Sequence, residues 1–288
     1  MSIGYVLAIL TGIFYGLQGV VGKWVVRDTP PVASAWAVTT FTVPFLAVLL
    51  FVQGMPTVNP LPFWSATFTS YTVNLLAWTL FFKSLQLSSI ALTMPYTALT
   101  PLFIIPVSYV LLGEIPSTPG IGGILLIILG AYGLQIPPGQ WYQPIRGLFQ
   151  DKGTRLMIGV AALWSVSATV EKVAVVNSSP LFYGVVINSL LGATYTLYLI
   201  IRHPTVFRGR GNGWMRFGLL GLVSAAMVVV QFYALLHLFV SYVIAFKRAG
   251  VLVSVLLGYL LFGEKGVIRH LLFSLLMILG AYLIMAGG

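Results

Sequence analysis

Charge is what this chain of 288 residues has least of. Only 7% of its residues are Asp, Glu, Lys or Arg, where an ordinary soluble domain carries roughly a quarter. A water-soluble globule could not cover its surface with so few ions, so a soluble enzyme, a disordered linker and a nucleic-acid-binding module are excluded before any motif is read. Cysteine is absent, which removes disulfides, thiol nucleophiles and Cys-ligated metals and leaves the redox compartment open. Acid is scarce: Asp28, Glu114, Asp151, Glu171 and Glu264 are the whole set. The net charge of +10 therefore reflects missing acid, not a basic face for nucleic acid. His203, His237 and His270 are scattered, Asp28 and Asp151 stand alone in loops, and no paired-carboxylate or metal-ligand spacing occurs. Neither an enzyme nor a metal or cofactor is expected. There is no Gly-rich nucleotide loop, so ATP drive is not expected.

What the chain does have is apolar length, with 59% hydrophobic residues. A bilayer-crossing helix needs about 20 mostly apolar residues. Ten such spans are predicted near 3–26, 32–53, 62–86, 88–112, 120–136, 155–176, 180–201, 213–238, 240–262 and 267–287. They are apolar all round, as lipid and protein neighbours together require. Short polar breaks such as 28–31, 54–56 and 177–180 separate them. The first span has no basic residue before it and no clear cleavage site after it, so it reads as a retained helix. Lys23, Arg27, Lys83, Arg146, Lys152, Arg155, Arg202, Arg208, Arg210, Arg216, Lys265 and Arg269 fall at odd-to-even loops, and only Lys172 near an even-to-odd one. Positive charge marks the cytoplasmic side, so both termini are expected outside a bacterial-type plasma membrane.

The second half repeats the first at an offset of about 150 residues. Tyr109 to Glu114 aligns with Tyr259 to Glu264, Gly130-Ala131-Tyr132 with Gly280-Ala281-Tyr282, and Trp64 with Trp214. One residue less places Val20 to Lys23 on Thr169 to Lys172. The expected organisation is a five-span repeat over 1–136, a cytoplasmic linker over 137–154 and a second five-span repeat over 155–288. Five spans is an odd number, so the halves must lie upside down relative to each other, a recurring plan of secondary transporters with a shared midplane site. The fold class is therefore an all-α membrane protein of ten helices in two inverted repeats.

On Pro101-Leu102-Phe103 leading to Leu112-Gly113-Glu114, on Phe262-Gly263-Glu264-Lys265 and on the paired Gly-Ala-Tyr, the sequence resembles the ten-helix EamA-type members of the drug/metabolite transporter superfamily. The counterpart of Pro101 is Val251, a departure from that pattern. The resemblance covers nearly the whole chain. It implies a transporter of a small molecule working by alternating access in a lipid bilayer, with a monomer expected and no cofactor.

Lys247 and Arg248 are the most informative residues. They lie about seven residues into the ninth span, roughly 10 Å from its end. A cation deep in a spanning helix costs on the order of 2.5–3.5 kcal/mol and commonly borders a water-filled substrate path, although snorkelling or a structural ion pair would also account for it. The doublet resembles one with which plastid-type phosphate translocators of the superfamily hold phosphate. Glu171, at similar depth, could neutralise either cation. Tyr15, Gln18 and Gly22 form a stripe on the first span, and Trp164, Ser167 and Glu171 a matching one on the sixth. Tyr71, Asn74 and Trp78 share a face of the third, Gln231 and His237 lie on the eighth, and Tyr242 opens the ninth. These residues are candidates for a substrate-binding site. Trp24, Trp36, Trp64 and Trp214 lie near span ends and read as interfacial anchors. Glu114 and Glu264 read as turn carboxylates favourable near the next helix's N-terminus, with Ser117, Thr118 and Pro119 starting that helix. Gly12, Gly16 and Gly19 give the first helix a close-packing face. Pro95, Pro101 and Pro106, against Gly250 and Gly258 in the repeat partner, favour bending of the fourth and ninth helices.

These features predict transport of a small organic solute, anionic or bearing a carboxylate or phosphate. Amino-acid or multidrug export and flipping of a lipid-linked substrate are the alternatives. The first span carries no acid, which counts against proton-coupled cation export.

Overall fold

The structure is a computed structural model that describes residues 2–26, 31–88, 93–136, 139, 151–207, 211–253, 256–257 and 267–287. No strand occurs among these residues. The helices are α1 (Ile3–Val26), α2 (Pro31–Thr40), α3 (Thr42–Gln53), α4 (Pro60–Leu87), α5 (Thr100–Leu112), α6 (Thr118–Gln135), α7 (Lys152–Val176), α8 (Pro180–Arg202), α9 (Gly211–Leu235), α10 (Val240–Ala249) and α11 (Val267–Gly287). Short 3-10 helices at Met94–Leu99 and Pro204–Phe207 complete them. Among the described residues, six helical stretches are long and apolar enough to cross a membrane: Ile3–Gly22, Val32–Gln53, Pro95–Leu112, Lys152–Val176, Pro180–Arg202 and Trp214–Leu235. Lipid offers no partners for backbone polar groups, so helices that satisfy themselves are the form such runs take.

The hydroxyl-rich span α4 shows how hydroxyls are accommodated. Thr69, Thr72 and Thr79 donate to the carbonyls four residues earlier, Ser65, Phe68 and Leu75, at 2.7–2.8 Å. The hydroxyls are thus satisfied within their own helix and do not break it. Helix starts follow local chemistry. Ser117, Asp151 and Ser179 accept from the backbone N–H groups of Gly120, Thr154 and Phe182, capping α6, α7 and α8. The Asp151 cap also accepts from the Ser88 hydroxyl at 2.6 Å, which ties the far end of α4 to the start of α7.

Packing follows the repeat. α1 packs on α9 and α4 on α7; α1 also meets α10, as α5 meets α7. α2 and α3 pack on α8, and α6 on α11. Exchanging the two halves leaves this set of pairs unchanged, as an inverted repeat requires. The α6–α11 seam repeats it in atomic detail. A methyl group added at Gly130 would lie 2.7 Å from the Phe273 carbonyl oxygen, and one added at Gly280 would lie 2.6 Å from that of Gly123. Both glycines are needed for backbones this close, and both contacts are related by the same 150-residue offset.

The second span runs over Val32–Gln53, as expected, with a turn at Phe41 where α2 passes into α3. Here α9 crosses closely: a methyl group at Gly221 would lie 2.6 Å from the Phe41 carbonyl carbon and oxygen. The Thr42 hydroxyl turns to Val38 O and Gly221 O. Trp36 is not an interfacial anchor but is 3% exposed. Its Nε1–H donates to Thr196 Oγ1 at 2.8 Å, and its ring meets Phe41, Phe207 and Phe217 edge-on at 5.3–5.4 Å. A satisfied N–H and edge-to-face neighbours suit an indole to the interior. Trp64 and Trp214 are each 42% exposed. Trp24 and Glu264 lie outside what the structure describes of side chains, as do Lys23 and Arg269.

The fourth and ninth spans are irregular at the same level. In the fourth, the 3-10 segment Met94–Leu99 gives way to α5 at Thr100, with Pro106 inside the helix. In the ninth, α10 ends at Ala249, and the Gly250 N–H bonds to the Lys247 carbonyl at 3.1 Å, a tightened turn. Thr100 and Gly250 are 150 residues apart in sequence, so the two breaks coincide in the repeat. At this level α1 crosses α10 closely: a methyl group on Gly12 would lie 2.5 Å from Phe246 O and 3.4 Å from Gly250 N. The small-residue face expected on α1 is thus used at Gly12.

Candidate functional site

Because adjacent residues of a helix diverge by about 100°, Lys247 and Arg248 leave α10 in different directions. Lys247 Nζ donates to Gln231 Oε1 of α9 at 2.8 Å and stands 5.5 Å from the centre of the Tyr15 ring. Arg248 turns toward α1 and α5. Its Nη1 donates to the Tyr15 hydroxyl and its Nη2 to Thr100 Oγ1, each at 3.1 Å. The guanidinium also lies 5.8 Å from the Tyr15 ring centre and 5.7 Å from that of Trp164. It is 8% exposed, and its Nε has no acceptor. Both acceptors are neutral hydroxyls, and among the described residues no carboxylate pairs with this buried cation.

Glu171 of α7 accepts from Ser167 Oγ at 3.0 Å. Ser167 is itself held by Asn74 Nδ2 at 2.6 Å and by Ser70 Oγ at 3.1 Å. The buried Tyr183 hydroxyl extends this chain to Ser70 at 3.1 Å. Trp164, one turn from Ser167, meets Trp78 edge-to-face at 5.7 Å and Phe81 at 5.8 Å. Lys247, Glu171, Tyr15, Trp78 and Trp164 are each partly exposed although their contacts run to other helices of the bundle.

Of the sequence candidates, Lys247, Arg248, Glu171, Tyr15, Trp164, Gln231, Asn74 and Trp78 are thus brought into one constellation on α1, α4, α7, α9 and α10. The other three lie apart from it. Gln18 donates to Ser224 Oγ of α9 at 2.7 Å, a strut between α1 and α9. Tyr71 shares a 2.7 Å hydrogen bond with Thr194 of α8. Tyr242 is 2% exposed, accepts from the Ser117 N–H at 3.1 Å and packs at the start of α6. Thr100 was missed: a lone threonine before a proline carries no signal of its own, and only the coincidence of the two helix breaks places it against Arg248.

The neighbour of Glu171 does something different. Lys172 Nζ pairs with Glu114 Oε1 at 2.6 Å and donates to the Leu238 carbonyl at 2.7 Å. The other carboxylate oxygen, Oε2, accepts from the Val240 N–H at 2.9 Å, the first residue of α10. Glu114 therefore sits at a helix N-terminus, but not at that of the next helix as expected. The helix it caps belongs to the opposite repeat, and α6 is capped by Ser117. This knot closes the end of the bundle that also joins Asn59 N–H to Asn177 O at 2.9 Å.

Comparison with known proteins agrees with this arrangement. The family model described as EamA-like transporter family matches residues 2–135 and again residues 151–286. The chain belongs to the EamA-like transporter family. A crystal structure of a protein 16% identical to this one superposes with a TM-score of 0.78 over 98% of this chain and 96% of the other, which shows that the fold is shared. Among proteins with curated descriptions, none matches the sequence. As a member of this family the protein is a multi-pass membrane transporter.

Proposed function

We propose that this transporter moves a small organic anion, carrying a carboxylate or phosphate, by alternating access between its two repeats. The observation that carries the reading is Arg248. Its guanidinium is buried, its Nη donors rest on two neutral hydroxyls and its Nε on nothing. A buried polar group left unmade is costly, and a guanidinium offers the planar fork that holds a carboxylate or phosphate in two parallel bonds. Lys247 adds a second cation one residue away, and Tyr15 touches both. The helix breaks at Thr100 and Gly250 border the same place, where inverted-repeat transporters put their substrates. In this reading the glycine seam between α6 and α11 stays fixed while the residues 1–136 and 155–288 rock about the site. Both termini lie outside, and a gradient of solute or charge supplies the energy.

The test compares an anion, its neutral analogue and a cation of similar size, by thermal shift of purified protein and by uptake into proteoliposomes. A ligand that binds only the folded state raises its stability. Arg248→Gln should weaken anion binding by about 1.5–3 kcal/mol, the range of a charge-assisted hydrogen bond. Arg248→Lys should also impair it, since a point charge does not reproduce the fork. A protein that binds the cation best would refute the reading.

A further inference from the structure

The two hydroxyls that receive the Arg248 guanidinium are not equivalent. A hydroxyl has one proton to give and lone pairs with which to accept. Thr100 Oγ1 gives its proton to the Thr97 carbonyl at 2.8 Å and accepts from Arg248 Nη2 at 3.1 Å, so both capacities are used. Tyr15 accepts from Arg248 Nη1 at 3.1 Å, and among the described residues no acceptor takes its own proton. The residue is partly exposed, and its place is fixed. Gly12, one turn earlier on α1, meets the α10 backbone at Phe246 and Gly250 with no room for a side chain. That contact sets the Tyr15 ring beside the doublet, 5.5 Å from Lys247 Nζ and 5.8 Å from the guanidinium carbon of Arg248. An N–H donated into a hydroxyl oxygen polarises the O–H beyond it and strengthens it as a donor. Nη1 keeps a second hydrogen of its own. Two donors thus stand on atoms 3.1 Å apart, a spacing at which one carboxylate or phosphate can meet each with a separate oxygen.

We propose that Tyr15 is the first repeat's donor to the cargo: its hydroxyl gives its proton to the carboxylate or phosphate that Arg248 holds, whereas Thr100 is a positioning residue that steadies the guanidinium. The inference rests on the anion reading above and deepens it. Arg248 stands on α10 in the second repeat and Tyr15 on α1 in the first, so the anion is gripped from both repeats at once. An ammonium has no lone pair for the phenol proton and meets two cations besides. The site therefore selects a group with at least two acceptor oxygens on one atom.

The experiment compares two variants that each delete one hydroxyl from the same guanidinium, Tyr15→Phe and Thr100→Val, in the full-length protein. Benzoate and inorganic phosphate are the anion probes and benzylammonium the cation, each read by thermal shift over a concentration series. Both variants deprive Arg248 of an acceptor, so if acceptance were the whole role of each hydroxyl, anion affinity would change alike. A donor lost from Tyr15 alone should leave Tyr15→Phe weaker for the anions than Thr100→Val by about tenfold or more, the share of a charge-assisted hydrogen bond. A second measurement does not depend on either variant folding. Tyr15 is replaced by a tyrosine fluorinated beside its hydroxyl, in mildly acidic buffer that keeps the phenol protonated. Fluorine makes the O–H a better donor and the oxygen a poorer acceptor. The proposal requires anion affinity to rise, and a role confined to accepting from Arg248 requires it to fall. Equal changes in the two variants, or a fall with the fluorinated ring, overturn the assignment while leaving an anion transporter. Stabilisation by benzylammonium alone overturns the anion reading itself, and stabilisation by no probe overturns both.

Discussion

Substituting Glu114 by Gln tests whether the knot at the bundle end is structural. The carboxylate makes two bonds with its two oxygens, one to the Lys172 ammonium at 2.6 Å and one to the Val240 N–H at 2.9 Å. Both partners are well removed from water, with side-chain exposures of 6% for Glu114 and 16% for Lys172. At 2.6 Å the gross attraction at an effective dielectric constant near 20 is roughly 6 kcal/mol, and most of it offsets the desolvation of the two ions. Removing one partner of a buried pair costs about 3–5 kcal/mol. The amide has one carbonyl oxygen for two donors, so either Lys172 or Val240 loses its acceptor. Lys172 keeps the Leu238 carbonyl, which places the loss near the lower end, about 3 kcal/mol. At roughly 2 °C per kcal/mol for a chain of this size, the melting temperature should fall by about 6 °C. Thermal unfolding in a mild detergent reads it, together with Glu114→Leu, Lys172→Met and the double variant Glu114→Leu/Lys172→Met. The double variant should recover more than half of the Glu114→Gln loss, because replacing both ions by apolar groups removes the unpaired charge. A shift under about 1 °C for Glu114→Gln, or strictly additive effects in the cycle, would refute the argument. Anion selectivity should be unchanged, since the knot does not reach Arg248.

Gly12→Ala sets a methyl group 2.5 Å from Phe246 O, and should cost about 1–3 kcal/mol by overpacking and slow transport more than it weakens binding; unaltered melting and uptake would place α1 and α10 farther apart. Asp151 gains hydrogen bonds from Ser88 and Thr154 and the nearby charge of Arg155, which together outweigh the opposing effect of its partial burial, so its carboxyl titrates below the usual range. A depressed carboxyl stabilises the fold above its unfolded value of about 3.9 and loses that contribution as pH falls through the folded value, so Asp151→Asn should flatten the decline of melting temperature below about pH 4. A cysteine at Thr205 should be shielded from an impermeant thiol reagent in intact cells while one at the 80% exposed Met55 reacts, the pattern that basic residues at odd-to-even loops require; the reverse would invert the topology.

The spans were legible because a helix in lipid must satisfy its own backbone, so the signal is local and long. The repeat was legible because the Gly-Glu and Gly-Ala-Tyr pairs recur at one register. Lys247 and Arg248 stood out for a similar reason: a cation in an apolar run is conspicuous without knowing its neighbours. Tertiary packing alone decided which way each side chain faces and what it meets. Glu171 and Lys172 are adjacent, yet one accepts from Ser167 on its own helix and the other reaches Glu114, 58 residues away. Tyr15 reaches Arg248 across 233 positions and Thr100 across 148, while Tyr242, on the same helix as the two cations, is held at its far end by Ser117. Trp36 appeared to belong at the interface until Thr196 and three phenyl rings enclosed it. In a chain apolar on every side no hydrophobic stripe records the inward face. The rotation of each helix is set by where glycines allow backbones to meet, as at Gly12, Gly123, Gly221 and Gly280, and those meetings exist only between segments distant in sequence.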